Sequence, residues 1–157
     1  MKIRDCMKQR VITVRDDATI GAAAALFRKY RIGTLPVVDP AGHLIGIVRL
    51  TGLISIIMPD FIRLAHHFEF VHDFGALEAQ SPDSQMLSQK VQEIMDDPIS
   101  VHTDSGLIMA ASLLHERDLQ DLPVVDQDSK VVGIASHVDI GVALMSNWDL
   151  PEHQGHN

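Results

Sequence analysis

Ser136 and Asp139 stand three residues apart where a short apolar run gives way to Val138–Met145. A carboxylate at a helix start can accept two hydrogen bonds from vicinal hydroxyls. A hydroxyl beside free backbone N–H groups suits a phosphate or the edge of a ring. The same pair is also what an ordinary helix cap uses, with serine accepting from a first-turn N–H; both readings stand. At a distance of 87 positions upstream the equivalent places hold Arg49 and Gly52, so the carboxylate is missing there.

Other residues compete for attention. His66, His67 and His72 lie near Glu69 and Asp73, and the spacing puts His66 with Glu69, and Glu69 with His72, on one helical face. Such a face could hold zinc or nickel across a dimer, but no cysteine pair and no His-Glu-x-x-His is present, and surface or interface histidines are the favoured reading. No metal site is therefore assigned. His153 and His156 belong to a polar tail. There is no Gly-x-Ser-x-Gly and no glycine-rich phosphate loop. Cys6, beside Asp5, has no evident activating base, and the acidic pairs Asp16-Asp17 and Asp96-Asp97 sit where capping or solvation explains them. The expectation is that the protein is not an enzyme and carries no cofactor.

Composition narrows the class further. A formal charge of −8 over 157 residues argues against nucleic acid or anionic lipid as the main partner. The apolar fraction of 46% with only 4% aromatics calls for a core of Val, Ile, Leu and Ala. A single cysteine forbids an intrachain disulfide and fits a reducing compartment. Met1–Asp5 has no apolar segment of the signal-peptide kind, and no apolar run reaches spanning length. A soluble, cytoplasmic protein is expected, with no membrane partner.

The elements that must position Ser136 and Asp139 are written twice. Leu35-Pro36-Val37-Val38-Asp39 returns as Leu122-Pro123-Val124-Val125-Asp126, and Gly46 returns as Gly133. Over Ile12–Ile54 against Ile99–Gly141 the shift of 87 holds without a gap, with 13 of 43 positions identical. Composition alone would give about three. Each copy predicts strand, helix, strand, strand, helix: Val11–Val14, Ile20–Tyr30, Leu35–Val38, Leu44–Val48 and a helix capped by Thr51 and running to about Met58. The second copy reads Ile99–Val101, Leu107–Arg117, Leu122–Val125, Val131–Ala135 and Val138–Met145. Asp39–Gly42 is a turn, and Asp16–Thr19 supplies cap candidates.

Between the copies, Phe61, Leu64, Ala65, Phe68, Val71 and Phe74 show approximate helical spacing. They read as packing onto the protein's own core or as a homodimer face. Ala79–Ser88 reads as an exposed loop and Gln89–Met95 as a helical lead into the second copy. The division is thus 1–58 first repeat, 59–91 helical linker, 92–146 second repeat and 147–157 polar tail. A unit of this size buries a poor core alone and packs against its twin.

This pattern, an alanine-rich helix, Leu-Pro-Val-Val-Asp, a short turn, Gly-Ile-Val or Gly-Ile-Ala, then a capped helix, resembles the cystathionine-β-synthase (CBS) domain. It occurs at about Ile12–Ile54 and Ile99–Met145, so the chain is similar to a tandem CBS pair, a Bateman module. The resemblance implies an α/β (α+β) fold of two βαββα repeats packed pseudo-twofold through their sheets. It also implies a homodimer, and a regulatory module that binds AMP, ADP, ATP or S-adenosylmethionine between the repeats and acts on an unidentified partner protein.

By the same resemblance, Ser136, His137 and Asp139 join Arg10, Ile12, Ile32, Gly33 and Pro36 in the better cleft, with Ile12 and Ile32 about the adenine. A weaker cleft takes Thr34, Arg49, Ile99, Ser100 and Leu122. Gln120 and Asp121 would approach a phosphate with Asp118 nearby, and the two carboxylates would repel it, offset only by His137 and Arg10, which favours a weakly charged ligand. The alternatives are a ligand-free dimerisation scaffold and, less favoured, a histidine-based metal sensor.

Overall fold

The computed structural model describes residues 1–57 and 82–150. The expected linker stripe, the linker histidines and most of the polar tail lie outside the described residues. The first repeat comprises β1 (Val14–Arg15), α1 (Ile20–Tyr30), β2 (Thr34–Val38), β3 (Leu44–Arg49) and α2 (Leu50–Ile57). After α3 (Ser84–Ser88), the second repeat follows as β4 (Val101–His102), α4 (Leu107–Glu116), β5 (Asp121–Val125), β6 (Val131–Ser136) and α5 (His137–Met145).

Each repeat folds a three-stranded sheet, ordered β1-β2-β3 and β4-β5-β6. The first pair in each is parallel and the second antiparallel, with matching registers: Pro36 faces Ile47, and Pro123 faces Ile134. The continuous apolar runs of β2 and β5 are buried, as strands covered on both faces must be. Thr19 caps α1 by accepting the Ala22 N–H at 3.2 Å. The hairpin turns are built alike: Asp39 Oδ1 accepts from Ala41 and His43, and Asp126 Oδ1 from Asp128 and Lys130.

Local expectations fail in four places. β1 and β4 begin later than Val11 and Ile99, because only two residues of each reach the pairing register and the preceding chain runs along the interface. Thr51 does not cap α2. The helix starts at Leu50, two residues before the expected Gly52, where the Leu50 N–H donates to the Gly33 carbonyl at 2.9 Å. Within the expected loop at Ala79–Ser88, Asp83 caps the short helix α3 through the Gln85 N–H. Gln89–Met95 forms a single 3-10 turn at Val91–Glu93 rather than a helix.

The repeats are joined by an exchange. The turn Ile3–Asp5 precedes the first repeat but docks on the second: Ile3 N–H donates to Ser105 at 2.9 Å, and Ile3 is fully buried in the second core with Leu107, Leu114, Leu122 and Ile140. The turn Val91–Glu93 precedes the second repeat but docks on the first, where Val91 donates to Ala18 at 2.9 Å and is buried with Ile20, Phe27 and Leu35. Met7 then lies against Gly133 and Met95 against Gly46, in contacts so close that a Cβ on either glycine would collide with the sulfur. Burying Ile3 or Val91 stabilises by roughly 1.5–3 kcal/mol each, so each repeat depends on the other's leading segment. Among the described residues, no helix is long and apolar enough to cross a membrane.

Candidate functional site

The exchange carries the chain from Lys8 to Ile12 across the start of α5. Lys8 is pinned to β6 by two backbone bonds, its N–H to Ile134 at 2.8 Å and the Ile134 N–H back to it at 2.9 Å. A cavity of about 560 Å³ opens there, lined by both repeats. Ile12, Ile32, Tyr30, Ile134 and Val138 give it apolar wall; Lys8, Arg10 and Arg31 give it cations; Asp121, Gln120, Ser136, His137, Thr34 and Gly33 complete it. Its size and mixed lining suit a small organic molecule with a charged end.

Ser136 and Asp139 form a reciprocal cap at the start of α5. The Asp139 N–H donates to Ser136 Oγ at 3.1 Å, while Asp139 Oδ2 accepts from the Ser136 N–H at 2.9 Å and from its hydroxyl at 2.7 Å. The Lys8 ammonium is 3.1 Å from the same oxygen. Burial works to raise the Asp139 carboxyl, but the Ser136 N–H, its hydroxyl and Lys8 outweigh it and leave the group below the ordinary aspartate value. Asp139 is therefore an ionised acceptor. Asp121 is shifted the opposite way: burial pushes its carboxyl up, Asp139 adds to the rise, and the Gly33 N–H and Lys8 pull back only in part.

Of the residues expected in the better cleft, Arg10, Ile12, Ile32, Gly33, Ser136 and His137 line the cavity. Pro36 does not, because it is fully buried in β2. Asp139 does not line it either: its carboxylate is turned to Ser136 and Lys8, which do. Gly33 does admit a close approach, but the group that approaches is the Gln120 side chain, which leaves no room for a Cβ. The charge balance also differs from expectation: Asp118 lines the other cleft, and Lys8 and Arg31 add two cations to this one. Lys8, Tyr30, Arg31, Ile134 and Val138 are the lining residues that sequence reasoning missed.

The pseudo-symmetric cleft has almost closed. Only about 50 Å³ remains, bounded by Gly33, Thr34, Arg49, Thr51, Asp118 and Gln120. Thr34 and Arg49 are where they were expected. Ile99, Ser100 and Leu122 do not line it: Leu122 is fully buried in the second core, and Ile99 packs on that core. Arg49 Nε donates to Asp96 Oδ2 at 2.9 Å across the cleft, and Gln120 fills space against Gly33. Thr34 is 1% exposed, and its hydroxyl has no hydrogen-bond partner among the described residues.

For catalysis, Cys6 is the one cysteine of the chain. Burial, then Asp139 and Asp5, push its thiol up, away from the thiolate that nucleophilic chemistry requires. Among the described residues no group of His, Cys, Asp and Glu is placed to hold a metal.

The CBS domain family model matches residues 3–59 and 91–146. The chain belongs to the CBS domain family, as a tandem pair of such domains. An uncharacterised protein of Methanocaldococcus jannaschii is 31% identical over 140 residues, which are 88% of this chain but 31% of that protein. The chain thus spans about a third of that relative, whereas it covers 92% of a second uncharacterised protein of the same organism, at 27% identity and 92% of this chain. Among solved structures, the CBS-pair protein CBSX2 from Arabidopsis thaliana superposes with a TM-score of 0.71 at 26% identity, over 92% of this chain and 94% of that one. CBSX2 has also been solved in complex with AMP, with a TM-score of 0.68, 26% identity, and coverage of 92% and 96%.

Proposed function

We propose that this protein is a regulatory module whose Asp139 cleft binds one adenosine-containing ligand. The observation that carries this is the cavity itself: a space of about 560 Å³ between the repeats joins apolar Ile12 and Ile32 to Ser136 and three cations, beside an ionised Asp139. The AMP complex of CBSX2, at 26% identity, supports adenosine as the common part. Ile12 and Ile32 flank the base, Asp139 accepts the ribose hydroxyls, and Ser136 with the first-turn N–H groups of α5 faces the 5′ substituent. Ligand-linked change in a partner protein follows if the ligand binds one arrangement of the repeats more tightly than another.

Thermal unfolding with AMP, ADP, ATP and S-adenosylmethionine tests this. A native-state ligand at about 100 times its Kd stabilises by about 2.7 kcal/mol, and Asp139→Asn, which keeps much of the cap, removes that gain. No stabilisation by any of the four, or equal stabilisation of the variant, overturns the assignment.

A specific observation also favours homodimerisation. Helix α5 carries Val138, Val142 and Met145 at i, i+4 and i+7, all exposed, and α4 exposes Ile108 and Met109. A second copy of the chain is the occupant proposed for this face. Val142→Glu then shifts a dimeric mass to a monomeric one in light scattering; an unchanged mass refutes that face.

A further inference from the structure

The two clefts carry opposite charges at one backbone position. In each, the residue after the partly buried methionine of the exchanged segment pairs its backbone with the outer strand of the other repeat. Lys8 is bridged to Ile134, and Asp96 is bridged to Ile47. The side chain at that position then meets the residue that ends the strand or stands in the first turn of the helix beyond. Asp96 meets Arg49 at 2.9 Å. Lys8 meets Asp139 at 3.1 Å. An anion reaching a cation closes one cleft; a cation reaching an anion leaves the other open.

The Lys8 ion pair is built to exchange. Its backbone is fixed by two hydrogen bonds, but its side chain is 62% exposed. The Asp139 side chain is 16% exposed, so the mobile partner is the ammonium, which water already reaches and a ligand can displace. Lys8 occupies Asp139 Oδ2, while Oδ1 has no hydrogen bond among the described residues. A diol that claims the carboxylate therefore releases an ammonium on a four-carbon stem into a cavity already lined by Arg10, Arg31 and Asp121.

Resting on the adenosine reading of this cleft, we infer that Lys8 is its specificity-determining residue. It neutralises Asp139 when the cleft is empty and turns to the phosphate of a nucleoside monophosphate when it is filled. The cleft thereby prefers a phosphorylated nucleoside to a neutral one. Asp121 opposes that preference, and Lys8 tips the balance of cations and carboxylates toward it.

Calorimetric titration of wild type, Lys8→Gln and Lys8→Arg with adenosine and with AMP reads this directly. Wild type prefers AMP by about tenfold, the scale of one partly screened charge pair. In Lys8→Gln the ratio of the two dissociation constants falls toward unity, AMP weakening while adenosine tightens because no ammonium competes for Asp139. Lys8→Arg restores the ratio. Raising the salt concentration narrows the preference in wild type and not in Lys8→Gln. Equal losses for both ligands, or an unchanged ratio, overturn the role of Lys8 while leaving the adenosine reading in place. Failure of wild type to bind either ligand overturns both.

Discussion

The two clefts of this molecule descend from one pattern and have diverged into an open site and a closed one. Beside the open cleft stand Ser136 and the Lys8–Asp139 pair; beside the closed one stand the Arg49–Asp96 pair and Gly52, while Gly33 and Gln120 line both. Backbone geometry does not account for the difference, since strand register and bridges match between the repeats. Side-chain volume and charge do. A glycine opposite a glutamine lets one side chain cross the pseudo-twofold axis toward Gly33, and the Arg49–Asp96 pair supplies internally the counter-charge that a ligand would otherwise bring. Duplicated folds can thus close one of two clefts with a handful of substitutions and no change in fold.

The largest effect comes from imposing the closed pattern on the open cleft. Ser136→Arg with Asp139→Gly lowers AMP affinity by at least about 100-fold in calorimetry, because it removes both the diol acceptor and the cap; an affinity within tenfold of wild type breaks the comparison. The reverse exchange, Arg49→Ser with Gly52→Asp and Asp96→Lys, raises the stoichiometry of AMP above one per chain. If it does not, the volume of Gln120 rather than charge keeps that cleft shut.

Smaller changes sharpen the electrostatics. Asp121→Asn removes a half-buried carboxylate that lines the cavity, and it tightens AMP by roughly threefold to tenfold while leaving adenosine less affected. Because the folded-state carboxyl of Asp121 is raised, its stabilising contribution is complete below the unfolded aspartate value and is lost as pH rises through the folded one; Asp121→Asn flattens that decline in a series of thermal melts. Asp139 has the opposite sign. Its carboxyl is lowered, so its contribution is present above the unfolded value and is lost as pH falls through the folded one.

The smallest expected effect is at Arg31, which holds φ at 52° to end α1. Arg31→Gly relieves that left-handed conformation and stabilises by about 0.5–1 kcal/mol. It also weakens AMP, so stability and binding move in opposite directions.

Much of this was legible in the sequence. The ungapped 87-residue shift marked both sheets, both major helices and the Ser136–Asp139 start of α5 before any coordinates. It stopped at Ile12, and that is where the site was missed. The leading segments also repeat, but Met7 and Met95 are offset by one residue more, and their docking on the opposite repeat is a tertiary fact with no local signature. Lys8 and its counterpart Asp96 were hidden by that one-residue slip. Arg31 was hidden because helix periodicity says nothing about where a C-terminal left-handed residue aims its side chain. Pro36 and Leu122 were assigned to clefts although they are core residues, since an apolar run cannot tell a buried strand position from a cavity wall.

The most direct test is a calorimetric titration of the wild-type protein with AMP, read for stoichiometry. Saturation at one AMP per chain, with the heat abolished in Asp139→Asn, is the expected result. Two equivalents per chain, or one equivalent that survives the loss of Asp139, would contradict the division of the molecule into one working cleft and one closed one.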